Sequence, residues 1–272
     1  MNHTNYQKVA EFNVVFDCPQ IYHVKFDREK WIEPKTEKVL KYRCDLIKEE
    51  GVEEFGTALR EKNRVEMIDA ICDSLYVLYG AAWTMEIDAD YHFKQMFDND
   101  VTIFTTLKKM YSTENNMNEK NMYDKLNELY LKFINYELEL RNVMLSGDGE
   151  FDKVVTLLFM MIVTTYRMGV ILNFDVDEAF NLVHQSNMSK LCKTEEEAQE
   201  TVNKYKKDFE TGKSTYDTPY YYKKNIYYFE TGKSTYDTPY YYKKNIYYVV
   251  KNQSTEKVLK SINYTPVNLT SL

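Results

Sequence analysis

The 272-residue chain is poor in the residues that staple or punctuate a fold: it has four cysteines, five prolines and eight glycines. Cys18, Cys44, Cys72 and Cys192 lie far apart and form no CxxC pair. Neither a zinc site nor a disulfide framework is signalled, and reduced thiols in a cytosol-like compartment are expected. No proline occurs between Pro34 and Pro219. Because proline is the strongest breaker of helix interiors, that gap predicts an all-α core. Long apolar runs are also missing. The longest, Val154 to Val163, is too short to span a bilayer and is soon followed by Arg167, so it reads as a buried helix and no membrane partner is expected. The opening MNHTNYQKVAEF has no apolar h-region, which points to the cytoplasm rather than secretion. An excess of basic residues is absent too: 35 Lys and Arg stand against 42 Asp and Glu, a formal net charge of -7. That argues against a general nucleic-acid binder. It leaves open a nucleotide bound through a metal, since a cation reverses the local sign.

What the chain does have is a stretch from Leu46 to Gly80 that offers two helices, each with a row of carboxylates. On the first, Glu50 and Glu53 sit three apart with Glu49 and Glu54 beside them. On the second, Glu66, Asp69 and Asp73 are spaced by three and four, so each set shares a helical face. Like charges at these spacings cost a few tenths of a kcal/mol on an exposed helix, and a hard divalent cation with oxygen ligands would offset that repulsion. Ile68, Ile71, Leu75 and Leu78 fall opposite the second row, and Val52, Phe55 and Leu59 opposite the first, which is equally the pattern of a solvated amphipathic face. Spacing alone leaves both readings open. One detail favours a site: after Asp73 the helix is apolar nearly all round, in SLYVLYGAAW.

In chain order, a short first helix with Val9, Phe12 and Phe16 on one side ends before Pro19, and Phe26 and Trp31 are expected anchors. Lys35 to Glu61 reads as one long helix or two short ones, weakened at Gly51 and Gly56, and Arg64 to Met85 as the second carboxylate helix. VTIFTT, residues 101–106, fits a short strand or a helical turn. Helices are expected over Tyr123–Met144, Phe151–Leu172 and from Asp177 towards Leu191. An internal echo links YGAAWTMEIDAD at Tyr79 to YRMGVILNFDVD at Tyr166. It reads either as a duplicated helical pair that kept its packing and lost most of its acids, with Leu140, Lys153 and Thr156 at the places of Glu53, Glu66 and Asp69, or as ordinary similarity between amphipathic helices. Near the end of the later helix, Ser186, Asn187, Ser189 and Lys190 offer hydroxyl, amide and ammonium groups. The same cluster fits a plain helix cap, and His184 alone reads as structural. Finally, FETGKSTYDTPYYYKKNIYY, residues 209–228, recurs unchanged at 229–248 and holds twelve of the 25 tyrosines. Two copies are too few for a solenoid. They fit a tandem duplication in a tolerant segment, made of turns and short extended pieces.

Glu49-Glu50-x-x-Glu53, a spacer and Glu66-x-x-Asp69 together resemble the signature of the all-α nucleoside triphosphate pyrophosphohydrolases, the MazG and phosphoribosyl-ATP pyrophosphohydrolase-like superfamily. VAEFNVVFDCP, DAICDSLYVLYGAA and AFNLVHQSNMSKL resemble further blocks of that family in the same order, and KVLKSINYTP resembles its ending less specifically. The long stretch between the YG-containing helix and SNMSK is similar to the dimeric dUTPase arrangement. The resemblance implies a helical bundle of the MazG-like type over residues 1–192; about 91–174 departs from compact members as an insertion or degenerate pseudo-repeat, and the composition of 193–272 reads as an irregular Tyr-rich tail, packed or forming a surface hairpin. It implies hydrolysis of a nucleoside triphosphate between the α and β phosphates with Mg²⁺, or Mn²⁺ in its place. Glu50, Glu53, Glu66 and Asp69 would be the metal set and Glu49 would orient or deprotonate water. Asn187 and Lys190 would contact phosphate or sugar, and Asp73 would hold Lys190 or a metal-bound water. A homodimer is the expected assembly. The tail duplication puts in doubt how the ending closes over a nucleotide. The competing reading is a catalytically silent nucleotide-binding or scaffolding helical protein.

Overall fold

Local signals set the helix boundaries in the computed structural model, which describes residues 3–21, 33–97, 103–112, 117–146, 150–231 and 240–272. Thr4 opens α1 (Asn5–Val15) with a reciprocal capping box to Gln7, which satisfies two backbone donors at once. Pro34 stands in the first turn of α2 (Pro34–Lys48), where its missing N–H costs nothing. The helix runs on through a π-turn (Glu49–Glu54) into α3 (Phe55–Glu61), so Pro34 to Glu61 is one continuous helical rod. Lys62, at φ 54°, ends it, and the Asn63 side chain caps α4 (Arg64–Thr84). There follow α5 (Ala89–Phe97), α6 (Ile103–Met110), α7 (Glu119–Leu145), α8 (Phe151–Ile171), α9 (Val176–Met188) and α10 (Glu195–Glu210). The one sheet among the described residues is an antiparallel hairpin of β1 (Pro219–Thr231) and β2 (Tyr240–Asn252). The fold is therefore all-α with a hairpin appended. VTIFTT turns helical from Ile103 onward, while Phe26 and Trp31 lie outside the described residues.

The chain divides into two units, Met1–His184 with Asn268–Leu272, and Gln185–Val267. The core of the first is built on α4 and α8. Among the described residues α8 is the one helix long and apolar enough to cross a membrane, and 72% of its most apolar stretch is buried within the protein, as befits a core helix. The buried Arg43 guanidinium is paired, donating to Asn13 and Thr84 at 3.1 and 2.8 Å.

The internal echo is matched by local geometry at a constant offset of 87 residues. Both α4 and α8 are 21 residues long, and each ends on a residue in the left-handed region, Glu86 (φ 57°) and Asn173 (φ 53°). Each end is closed by matching backbone bonds, Ile87 N to Ala82 O and Phe174 N to Gly169 O, the pattern of a helix C-terminal motif. Asp88 and Asp175 then cap the next helices, accepting from Tyr91 N and Glu178 N at 3.0 Å each. The equivalent Tyr79 and Tyr166 hydroxyls meet at 3.2 Å in the core. Neighbouring residues of the α1 start serve the two copies, Thr4 donating to Asp90 and Asn5 to Asp177.

The second unit has a core of its own. Cys192, Ala198, Val202, Val250 and Leu259 form its small core, with Tyr205, Tyr216, Tyr221 and Tyr248 packed on it. Cys192 and Tyr248 exchange backbone hydrogen bonds of 3.0 and 2.9 Å, which fastens β2 to the start of the unit. The two 20-residue copies do not fold alike. Phe209 and Glu210 end α10, while their copies Phe229 and Glu230 lie in β1. The hairpin register sets strand of one copy against strand of the other, Asn225 opposite Ile246 and Ile226 opposite Asn245.

Candidate active site

Beyond Arg64, the positions of α4 that are not buried, Val65, Glu66, Asp69, Asp73 and Val77, form one line along the helix. The π-turn lies alongside it. A Cβ at Gly51 would stand 3.3 Å from Ser74 Oγ and would run into the Phe133 ring, so glycine is what lets the turn approach both α4 and α7. Gly56 serves the same approach, since a Cβ there would run into the Tyr130 hydroxyl. That hydroxyl donates to Val52 O at 2.8 Å, within the π-turn.

The structure brings Glu50 to Asp73 and Glu54. Glu50 is half-buried, and its carboxyl is pushed up to about 9, first by burial and then by the charges of Asp73, Glu54 and Glu49. Desolvation and like charge both disfavour the ionised form. Glu53, expected beside Glu50 in the metal set, is exposed and ion-paired with Lys48, at 2.5 Å. Glu49 and Glu66 are exposed, and Asp69 is half-buried between Glu66 and Asp73 on α4. As the side chains stand, no three His, Cys, Asp or Glu groups among the described residues converge as a metal would require. Asn187 and Lys190 belong to the second unit. There the Lys190 ammonium donates to Asn187 Oδ1 at 2.6 Å. The Ser186 hydroxyl meets Tyr264 and Thr265, both at 2.9 Å, and Thr265 N donates to Ser189. SNMSK and the INYTP ending are thus joined although the duplicated segment separates them in sequence.

The repeat supplies an internal control for the acids. At the 87-residue offset Glu50 corresponds to Glu137 and Glu54 to Arg141. Glu137 is buried at 3% exposure, and Arg141 Nε donates to it at 2.8 Å while Nη1 reaches Asp45 at 2.9 Å. One copy thus neutralises its inward carboxylate with an arginine four residues on. The other places a glutamate at that position. An all-oxygen set of Glu50, Glu54 and Asp73, extended by Glu53, Glu66 and Asp69, has the chemistry of a hard divalent cation site. Glu54 was not in the set read from sequence, and its signal is the Glu-for-Arg exchange between copies.

A family model described as phosphoribosyl-ATP pyrophosphohydrolase matches residues 21–99, which include the π-turn and the whole α4 acid row. Uncharacterized protein L479 of Acanthamoeba polyphaga mimivirus is 35% identical over 212 residues, covering 75% of this chain and 77% of the viral protein. The chain belongs to the MazG-like all-α pyrophosphohydrolase superfamily. No solved structure matches it. Membership of that superfamily makes the chemistry pyrophosphohydrolase-like, a hydrolysis of a phosphoanhydride bond. The matched segment carries Glu49, Glu50, Glu53, Glu54, Glu66, Asp69 and Asp73, whereas Asn187 and Lys190 fall outside it.

Proposed function

We propose that the protein is a Mg²⁺-dependent nucleoside triphosphate pyrophosphohydrolase, which cleaves a (deoxy)nucleoside triphosphate between the α and β phosphates to give the monophosphate and pyrophosphate. The observation that carries the reading is the contrast between the copies: Glu137 faces Arg141, whereas Glu50 faces Glu54 and Asp73 and is pushed far above the usual carboxylate range. Glu50, Glu53, Glu66 and Asp69 hold Mg²⁺, or Mn²⁺ in its place, with Glu54 and Asp73 beside Glu50. When bound, the metal supplies positive charge to the phosphates and makes water a better nucleophile near neutral pH. Glu49, exposed at the start of the π-turn, orients the attacking water and takes its proton. Lys190 and Asn187 offer an ammonium and an amide suited to phosphate or sugar, and Asp73 holds a metal-bound water. The chain works as a homodimer in the cytoplasm, and its mass by light scattering would be twice that of one chain.

The test is pyrophosphate release from a panel of standard and modified dNTPs, NTPs and phosphoribosyl-ATP with Mg²⁺. Turnover of at least one nucleotide is expected, with Glu53→Ala and Asp69→Ala lowering it by orders of magnitude. Absence of turnover with every nucleotide, together with nucleotide binding, would favour the silent binding protein. Equal turnover by the variants would remove the acid row from the chemistry.

A further inference from the structure

Lys48 and Glu53 are five residues apart and ion-paired. On an α-helix, positions five apart point roughly 140° away from each other, and side chains that meet are three or four apart. The contact exists because the rod is π-helical here. Phe55 N donates to Glu50 O, an i to i+5 bond, and a turn of that width brings residue i+5 over residue i. The same turn takes Glu53 out of the α-helical alignment with Glu49 and Glu50 and points it at an ammonium on the preceding turn. Both partners are about half exposed, so the pair is weak and exchangeable. On the same turn Gly51 leaves no room for a side chain beside Phe133 and Ser74.

We propose that Lys48 is a positioning residue that competes with the divalent cation for the Glu53 carboxylate. Binding of the cation exchanges the Lys48–Glu53 pair for a Glu53 ligand, and the Glu49–Glu54 π-turn tightens towards α-helix as it does so. The π-turn is then a spring in the site: its wide form stores Glu53 on Lys48, and its narrow form returns Glu53 to the row with Glu50. The proposal rests on the reading above that Glu53 is a ligand.

The experiment measures Mn²⁺ affinity of the full chain without nucleotide, by electron paramagnetic resonance of the free ion, for wild type, Lys48→Met, Lys48→Arg, Lys41→Met and Glu53→Gln. Hydrogen exchange over residues 49–55 is followed with and without Mn²⁺. Lys48→Met is expected to bind Mn²⁺ about two- to five-fold tighter, the scale of an exposed ion pair. Lys48→Arg and Lys41→Met should match wild type, and Mn²⁺ should slow exchange over 49–55 in wild type. Unchanged or weaker affinity in Lys48→Met, with Glu53→Gln weakened, overturns the competition while leaving Glu53 a ligand. Equal Mn²⁺ binding by Glu53→Gln and wild type, or no binding by wild type, overturns both.

Discussion

Glu50 and Glu137 show what a single neighbour decides. The two occupy corresponding places in the repeat, and Glu137 is accommodated in the core because Arg141, four residues along, pairs with it. Glu50 has Glu54 there instead, and its folded-state pKa of about 9 stands well above the ordinary Glu value near ~4.3. Between those values the metal-free native state holds a proton that the unfolded chain releases, so stability falls as pH rises through that window. In EDTA, the melting temperature of wild type should decline between about pH 6 and 9, below the folded-state value. Glu50→Gln should flatten the decline, and Mg²⁺ should oppose it by favouring the ionised carboxylate. A slope unchanged by Glu50→Gln would refute the assignment. Glu54→Arg would rebuild the pair of the other copy. It should raise the metal-free melting temperature by about 2–4 °C, from roughly 1 kcal/mol for a partly exposed pair, and abolish pyrophosphate release. Only the acid row itself was legible in the sequence. That Glu53 turns to Lys48 follows from one widened turn, and the acid spacings are the same with or without it.

Elements were more legible than side chains. The periodicity of apolar residues located α4, α7 and α8 within a few residues, because burial of a helical face is what that periodicity records. Gly51 and Gly56 were visible only as weak points in a helix. Their role is tertiary: both clear space for α7, whose Phe133 and Tyr130 occupy the volume a Cβ would need. Gly51→Ala should therefore destabilise by about 1–3 kcal/mol, the usual cost of overpacking, although alanine is the better helix former. Calorimetry of Gly51→Ala against Gly51→Ala/Phe133→Leu checks it, with the second change expected to recover part of the loss. A neutral or stabilising Gly51→Ala would mean that propensity outweighs the clash. The duplicated tail shows the opposite limit of legibility. Phe209-Glu210 and Phe229-Glu230 are the same dipeptide in helix and in strand, so no local rule could have assigned both, and tertiary context overrides propensity.

Across the whole molecule, resemblance within the chain occurs at two lengths with different results. At the 87-residue offset the correspondence is one of packing: the paired tyrosines, the left-handed helix ends and the aspartate caps match, while only the earlier segment carries the acid row. The 20-residue repeat serves as pairing, since most of β1 comes from the first copy and β2 begins in the second. Removing residues 229–248 leaves one PYYYKKNIYY segment running directly into VVKN. That strand keeps its route to Cys192 and Leu259, because the residues after Tyr248 are unchanged, but it loses the partner that covers its other edge. A lone strand on α10 with an open edge is marginal. The shortened chain should therefore unfold its second unit at lower temperature and be cut sooner by chymotrypsin among the tyrosines. The first unit's core, built on α4 and α8 and containing none of the deleted residues, should melt as in wild type. Two separated transitions by calorimetry, the higher one unmoved, are the expected outcome. A single transition at the wild-type temperature would show that the second copy adds nothing to the unit, and that the hairpin is an ornament on a tail already stable with one strand.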